Sequence, residues 1–220
     1  MLQISIDGKE VSVEQGATVI EAAQKLGTYI PHFCYHKKLS IAASCRMCLV
    51  EVEKAPKPLP ACATPVTDGM VVHTHSKMAK QAQEGVMEFL LINHPLDCPV
   101  CDKGGECQLQ DLAVGYGKST TRYTEAKRAV VAKDMGPLIS TREMSRCIHC
   151  SRCVRFTEES AGNQEIGIAN RGEHSEILTF IGRAVETELS GNVIDLCPVG
   201  ALTSKPFRFN ARSWELNRRK

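Results

Sequence analysis

The residues of this sequence that could do chemistry are its eleven cysteines, an odd and unusually high number for 220 residues. They fall into three groups: Cys34, Cys45, Cys48 and Cys62; Cys98, Cys101 and Cys107; and Cys147, Cys150 and Cys153 with a remote Cys197. In an oxidising compartment cysteines pair as disulfides, whereas reduced thiols at tight spacings bind metals or clusters. The chain opens MLQISIDGKEVSV, without the basic stretch and apolar run of a signal peptide. Its most apolar run near a helix, Glu88–Ile92, is far short of the roughly 20 residues that span a bilayer. The expectation is a reducing, soluble compartment in which the thiols are metal ligands.

Each group has its own signature. Cys34-x10-Cys45-x2-Cys48-x13-Cys62 has the layout of a plant-type [2Fe–2S] ferredoxin, with a longer first gap than usual. Cys147-x2-Cys150-x2-Cys153 wraps one face of a [4Fe–4S] cube, and the remote Cys197-Pro198 closes the same cube. Four, three and four use all eleven cysteines and leave the middle group one ligand short. His94 lies four residues before Cys98, and an imidazole nitrogen is a competent iron ligand. Gly104-Gly105 inside the x5 gap lets the backbone curl toward the cluster. His94 is therefore expected as the fourth ligand; the competing reading is a helix-terminal His that meets only the helix dipole. Zinc competes for all three groups, because four cysteines, or three and a histidine, are structural zinc sets. The triple run with a remote Cys-Pro favours iron–sulfur over zinc.

These ligands need elements to position them. Leu2, Ile4, Ile6, Val11 and Val13 alternate around Asp7-Gly8-Lys9, which predicts a β-hairpin with a type I′ turn. ATVIEAAQKLG predicts a helix capped by Thr18, with Glu21 three residues on and Gly27 past its end. Cys48–Glu53 and Gly69–His75 read as strands on either side of a Pro-rich separator, giving a small mixed sheet around one helix. Ser76 to Asn93 reads as a helix with Met78, Ala82, Val86, Phe89, Leu90 and Asn93 on one face. His94-Pro95 ends it, and a further helix is expected at about 108–114.

A formal charge of +2 and only 5% aromatic residues give no bias toward nucleic acid or a membrane surface. Gly115–Thr120 lacks the upstream glycine of a phosphate-binding loop, since residue 112 is leucine. No G-x-G-x-x-G is present, so no nicotinamide or flavin site is expected on this chain. His36 and His149 sit inside Cys-x-His pairs with no Rieske partner and read as neighbours of the ligands rather than ligands. The stretch KPFRFNARSWELNRRK reads as a docking strand or linker. No catalytic acid, base or nucleophile is expected.

Taken together, the three spacings, HPLDCPVCDKGGECQLQD and CPVGALTSKPF followed by WEL resemble the N-terminal iron–sulfur region of the large peripheral-arm subunit of respiratory NADH:quinone oxidoreductase, complex I. The resemblance covers essentially the whole chain. It implies an α+β architecture: a β-grasp ferredoxin-like [2Fe–2S] domain at 1–77, a helical one-His/three-Cys [4Fe–4S] segment at 78–118, a connector at 119–136, and a small α/β [4Fe–4S] domain with a basic tail at 137–220. It further implies one [2Fe–2S] and two [4Fe–4S] clusters, with FMN and NADH on a partner subunit. The implied partners are that flavin-containing NADH-binding subunit and a further iron–sulfur subunit. The implied location is cytoplasmic, peripheral to the inner membrane through those partners. The same three-cluster region is similar to the diaphorase small subunit of NAD-reducing hydrogenases and to parts of NAD-linked formate dehydrogenases. A free ferredoxin-like shuttle is the alternative of another class. The chain stops where the complex I subunit continues, as either a fragment or a short homologue would.

Overall fold

The computed structural model describes residues 1–180 and 183–217. The chain divides into two compact units, one made of Met1–Tyr35, Ile41–Phe89 and Leu112–Thr121, the other of His36–Ser40, Leu90–Asp111 and the residues from Arg122 onward.

The first unit is built on β1 (Leu2–Ile6) and β2 (Lys9–Val13), paired antiparallel as the alternation predicts. Asp7 and Gly8 at the turn take φ of 49° and 79°, the positive values that a type I′ turn requires. Helix α1 (Val19–Lys25) follows, with the Glu21 carboxylate accepting from the Thr18 N–H at 2.7 Å and from its hydroxyl at 2.9 Å. Strands β3 (Leu49–Val52), β4 (Leu59–Pro60) and β5 (Val71–His73) complete a five-stranded sheet in the order β2-β1-β5-β3-β4. Only the β1–β5 pairing is parallel. Strand β4 falls inside the stretch read as a separator. Its Leu59 pairs with Val50, and Pro60 is tolerated there because β4 is the sheet edge, where a missing N–H costs no ladder bond. Ile4, Ile6, Val13 and Val72 from the sheet pack against Val19, Ile20, Ala22 and Ala23 of α1. Each fully buried Ile or Val contributes about 1.5–3 kcal/mol.

Helix α2 (Lys77–Leu91) corrects the sequence reading by one position of rotation. Its buried residues are Ala79, Gln83 and Met87, whereas Met78 and Phe89 of the expected face are exposed, Phe89 by 72%. Gln83 lies on the inner face because its amide donates to the Leu49 carbonyl at 2.9 Å. A satisfied buried amide costs little, and hydrophobic patterning alone gives it no weight.

Helix α3 (Gln108–Tyr116) begins directly after Cys107. The second unit adds β6 (Ile139–Ser140) paired with β9 (Thr203–Ser204), and β7 (Ile166–Ala169) paired with β8 (Glu176–Thr179), both antiparallel. Helix α4 (Arg152–Glu159) packs on β7 and on α5 (Asn192–Leu196) around Ile166, Ile177 and Val193. The chain is thus a mixed α/β protein, and every expected cluster ligand lies in a loop or at an element end.

Candidate metal centres

The first group is the most closely gathered. Cys34 lies in the loop after α1, Cys45 and Cys48 lead into β3, and Cys62 follows β4; all four are nearly or fully buried. Cys34 N–H donates to Cys45 Sγ at 3.4 Å. The Cys45 and Cys62 thiols donate to Cys34, which holds Cys34 far below the usual thiol range. Cys48 is lowered by the Cys62 thiol, and the two donors, Cys45 and Cys62, are pushed up in return. Ala43 and Arg46 adopt left-handed φ of 50° and 58° on either side of Cys45, which turns main-chain N–H groups of Ser44 and Met47 toward the sulfurs. Main-chain N–H groups also reach Cys34, Cys45 and Cys48, and thiols in such a setting are the kind that metal binding deprotonates.

The middle group sits on a loop that runs from the end of α2 to the start of α3. Cys98 opens a single 3-10 turn with Pro99, and Cys101 and Cys107 are buried, which raises both thiols above the ordinary range. A Cβ on Gly104 would lie 2.9 Å from the Cys98 carbonyl oxygen and 3.0 Å from that of Cys101, so the turn requires glycine. His94 sits at the head of the same loop, after the end of α2. The Arg146 backbone hydrogen-bonds its ring, while Nδ1 is buried with no hydrogen-bond partner. Metal-bound histidines characteristically give one ring nitrogen to a main-chain group and the other to the metal. Burial also lowers its pKa to about 4, keeping the imidazole neutral as ligation requires.

The third group surrounds the start of α4. Cys147, Cys150, Cys153 and Cys197 all line one small apolar cavity closed by Met144, Ile148, Ile177, Val199 and Leu202. Burial pushes the Cys147 thiol up to about 12 and raises Cys153 well above the ordinary range. His149 and Ser151 take φ of 52° and 57°, bending the chain between ligands, and His149 N–H donates to Cys147 Sγ at 3.4 Å. Ser151 and Arg152 also line it, and a largely apolar pocket of thiols is the kind of site that soft, sulfur-bound iron takes. Among the described residues no three His, Cys, Asp or Glu side chains close around a single-ion point.

His36 and His149 are not part of these donor sets. His36 Nδ1 accepts from the Lys38 N–H at 3.3 Å, and the His149 ring donates to the Ser175 carbonyl at 2.9 Å.

Three contributors escape the sequence reading. Arg146, 4% exposed, donates from Nε to Asp97 at 2.9 Å, reaches it again through Nη2, and donates from Nη1 to the Gly200 carbonyl at 3.3 Å. Its only sequence signal is its position next to Cys147. Gly200 passes so close to Cys101 Sγ that a Cβ there would overlap the sulfur. The basic stretch near the end, read as a docking strand or linker, instead folds back on the middle loop. Arg212 donates to the Cys101 and Pro99 carbonyls, and Phe209 N–H donates to Asp102 at 2.9 Å. Trp214 covers Gly105, whose φ of 89° and lack of Cβ allow the contact. Residues 218–220 of that stretch lie outside the described residues.

Three family models match the chain. Residues 1–77 match the model of a 2Fe-2S iron-sulfur cluster binding domain. Residues 83–122 match the NADH-ubiquinone oxidoreductase-G iron-sulfur binding region. Residues 136–203 match the ferredoxin-like domain of NADH-quinone oxidoreductase subunit 3. The chain is 58% identical over 216 residues to the 75 kDa subunit of NADH-ubiquinone oxidoreductase of Reclinomonas americana, covering 98% of this chain and 31% of that protein. It is 58% identical to the mitochondrial 78 kDa subunit of NADH-ubiquinone oxidoreductase of Neurospora crassa, covering 99% of this chain and 29% of that protein. The chain therefore spans about a third of the curated relatives it matches. A solved chain from an NAD+-reducing [NiFe]-hydrogenase in the H2-reduced state superposes with a TM-score of 0.86 at 30% identity, covering 96% of this chain and 90% of that one.

Proposed function

The chain belongs to the family of the 75 kDa iron–sulfur subunit of NADH-quinone oxidoreductase, of which it spans about a third, and from that premise we propose that it is the electron-carrying iron–sulfur part of such an oxidoreductase. In this reading electrons arrive singly from a flavin-containing, NADH-binding subunit and leave toward quinone by way of a further iron–sulfur subunit. FMN and NADH belong to the partner. The flavin partner also suits the hydrogenase relative. Attachment to the membrane is indirect, and among the described residues no helix is long and apolar enough to cross one.

Cys34, Cys45, Cys48 and Cys62 would hold one [2Fe–2S] cluster. His94, Cys98, Cys101 and Cys107 would hold one [4Fe–4S] cluster, and Cys147, Cys150, Cys153 and Cys197 another. When bound, such clusters accept and release single electrons at potentials set by ligand type, hydrogen bonds and burial. The chain's own residues supply those settings: main-chain N–H groups aimed at Cys34, Cys45 and Cys147, a neutral imidazole at His94, and an aliphatic wall around the third group. No side chain need act as acid, base or nucleophile. The β-grasp form of the first sheet and the segments 1–77, 78–118, 119–136 and 137–220 belong to the same proposal.

The observation that carries the reading is that eleven cysteines and His94 fill three four-donor groups with none left over. Metal analysis of anaerobically purified protein is expected to find about ten iron atoms per chain, two plus four plus four, and no zinc. Stoichiometric zinc, or iron near six, overturns it. The second reading, a diaphorase small subunit of an NAD-reducing hydrogenase, has the hydrogenase superposition in its favour, but the identity of 30% against 58% favours the quinone enzyme.

A further inference from the structure

Arg146 occupies an unusual position in the second unit. Its guanidinium holds Asp97, one residue before Cys98, and the Gly200 carbonyl, three residues after Cys197. Its backbone hydrogen-bonds the His94 ring, and the next residue in the chain is Cys147. One buried side chain thus touches the loop of the middle donor group and the segment that closes the third. The two groups also meet directly along that segment: Gly200 passes against Cys101 Sγ, and Cys107 Sγ lies 3.7 Å from the Pro198 carbonyl oxygen.

A part-buried ion pair is weak evidence for stability, because desolvating its charges offsets much of their attraction. The location of this one points to another use. The guanidinium lies 3.5 Å from the place a Gly200 Cβ would occupy, itself in contact with Cys101 Sγ, so a full positive charge stands beside the middle group. Asp97 carries the opposing charge on the same loop.

We infer that Arg146 is a positioning residue that clamps the middle and third donor groups together, and that the Arg146–Asp97 pair sets the reduction potential of the cluster held by His94, Cys98, Cys101 and Cys107. This rests on the iron–sulfur reading given above. A cluster gains negative charge on reduction, so a nearby cation favours the reduced state and a nearby anion opposes it.

The test is a redox titration of the intact, cluster-loaded protein followed by electron paramagnetic resonance, with the [2Fe–2S] signal as internal standard. Arg146→Gln removes the cation and should lower the middle cluster's reduction equilibrium about tenfold, about 59 mV for one electron. Asp97→Asn keeps the shape, removes the anion and should shift that cluster upward. Arg146→Lys keeps the charge and should stay nearer the wild type than Arg146→Gln. Opposite shifts in the two neutralised variants cannot come from general loosening of the loop. Should Arg146→Gln lose only the middle cluster, that loss supports the clamp, and the upward shift in Asp97→Asn decides the electrostatic part. Shifts under twofold (about 18 mV) in both variants, or shifts of the same sign, overturn the inference. A wild-type protein without two [4Fe–4S] signals overturns the underlying reading instead.

Discussion

Gly200→Ala adds one methyl group at the point where the chain after Cys197 crosses the middle loop. The new Cβ would lie inside 3.0 Å of Cys101 Sγ, with Lys103 Cβ at 3.3 Å and Arg146 Nη1 at 3.5 Å, whereas ordinary contact begins at 3.4 Å. Relief therefore requires a movement of more than 0.4 Å, from inside 3.0 Å to 3.4 Å. The backbone at residue 200 has little room to retreat, because Val199, Ala201 and Leu202 are at most 2% exposed. Overpacking of this kind costs about 1–3 kcal/mol. The φ of Gly200 is not in the left-handed range, so alanine also returns about 0.4–1 kcal/mol by restricting the unfolded chain. The difference is a modest loss of about 0–2.6 kcal/mol, centred near 1 kcal/mol. The effect on the ligand is larger in consequence, since metal–ligand distances tolerate only about 0.2 Å. Iron should fall from about ten to about six per chain, the middle cluster's signal should vanish, and the [2Fe–2S] signal should stay. Gly85→Ala in α2, where a Cβ meets nothing within 4 Å, is the control and should gain up to about 1 kcal/mol in chemical denaturation. Retention of all ten irons by Gly200→Ala would refute the packing argument.

Two further predictions use independent parts of the structure. His94→Ala should make the middle cluster labile to dilution and chelators while the other two persist; an unchanged spectrum would return His94 to the role of a helix end. Glu176 is held below the ordinary carboxylate range by the Lys133 hydrogen bond, with the charge of Arg128 assisting. A lowered carboxylate pKa stabilises the fold above the unfolded-state value of about 4.3 and stops doing so as pH falls through the folded value. Glu176→Gln should therefore melt lower than wild type at pH 7, and the gap should close below about pH 4; a gap independent of pH would contradict the ion pair's role.

What the sequence reveals is what neighbours in sequence decide. The type I′ hairpin depends on Asp7-Gly8, and the start of α1 on Thr18 and Glu21, so both are legible in a few residues. The cysteine groups are legible because x2 spacings are set by loop geometry within one turn. Gln83 is misread by patterning because its burial depends on the Leu49 carbonyl, 34 positions away. Arg146 meets Asp97 across 49 positions, and Arg212 meets Cys101 across 111. A basic residue gives no local sign of which distant carbonyl or carboxylate it will satisfy. The same blindness turns the folded-back stretch around Trp214 into an apparent linker.

The left-handed residues tie these observations into one energetic picture. Non-glycine residues in that region cost about 1–2 kcal/mol each, and such strain persists only where the surroundings enforce it. Of the eight that occur among the described residues, Ala43 and Arg46 fall within the first ligand loop, and His149 and Ser151 within the third. Each bends the main chain so that successive N–H groups face inward, the concave arrangement that suits an anionic centre. In the first loop the thiols lie close enough to hydrogen-bond one another, which lowers Cys34 and raises Cys45. In the proposed reading iron taken up by these thiols would offset that strain, so that ligand binding and loop folding would draw on the same free energy. Clamps such as Arg146 and Arg212, which bond carbonyls and carboxylates rather than thiols, then have a distinct task. Arg146 ties the middle loop to the segment after Cys197, and Arg212 ties the stretch before Trp214 to the middle loop.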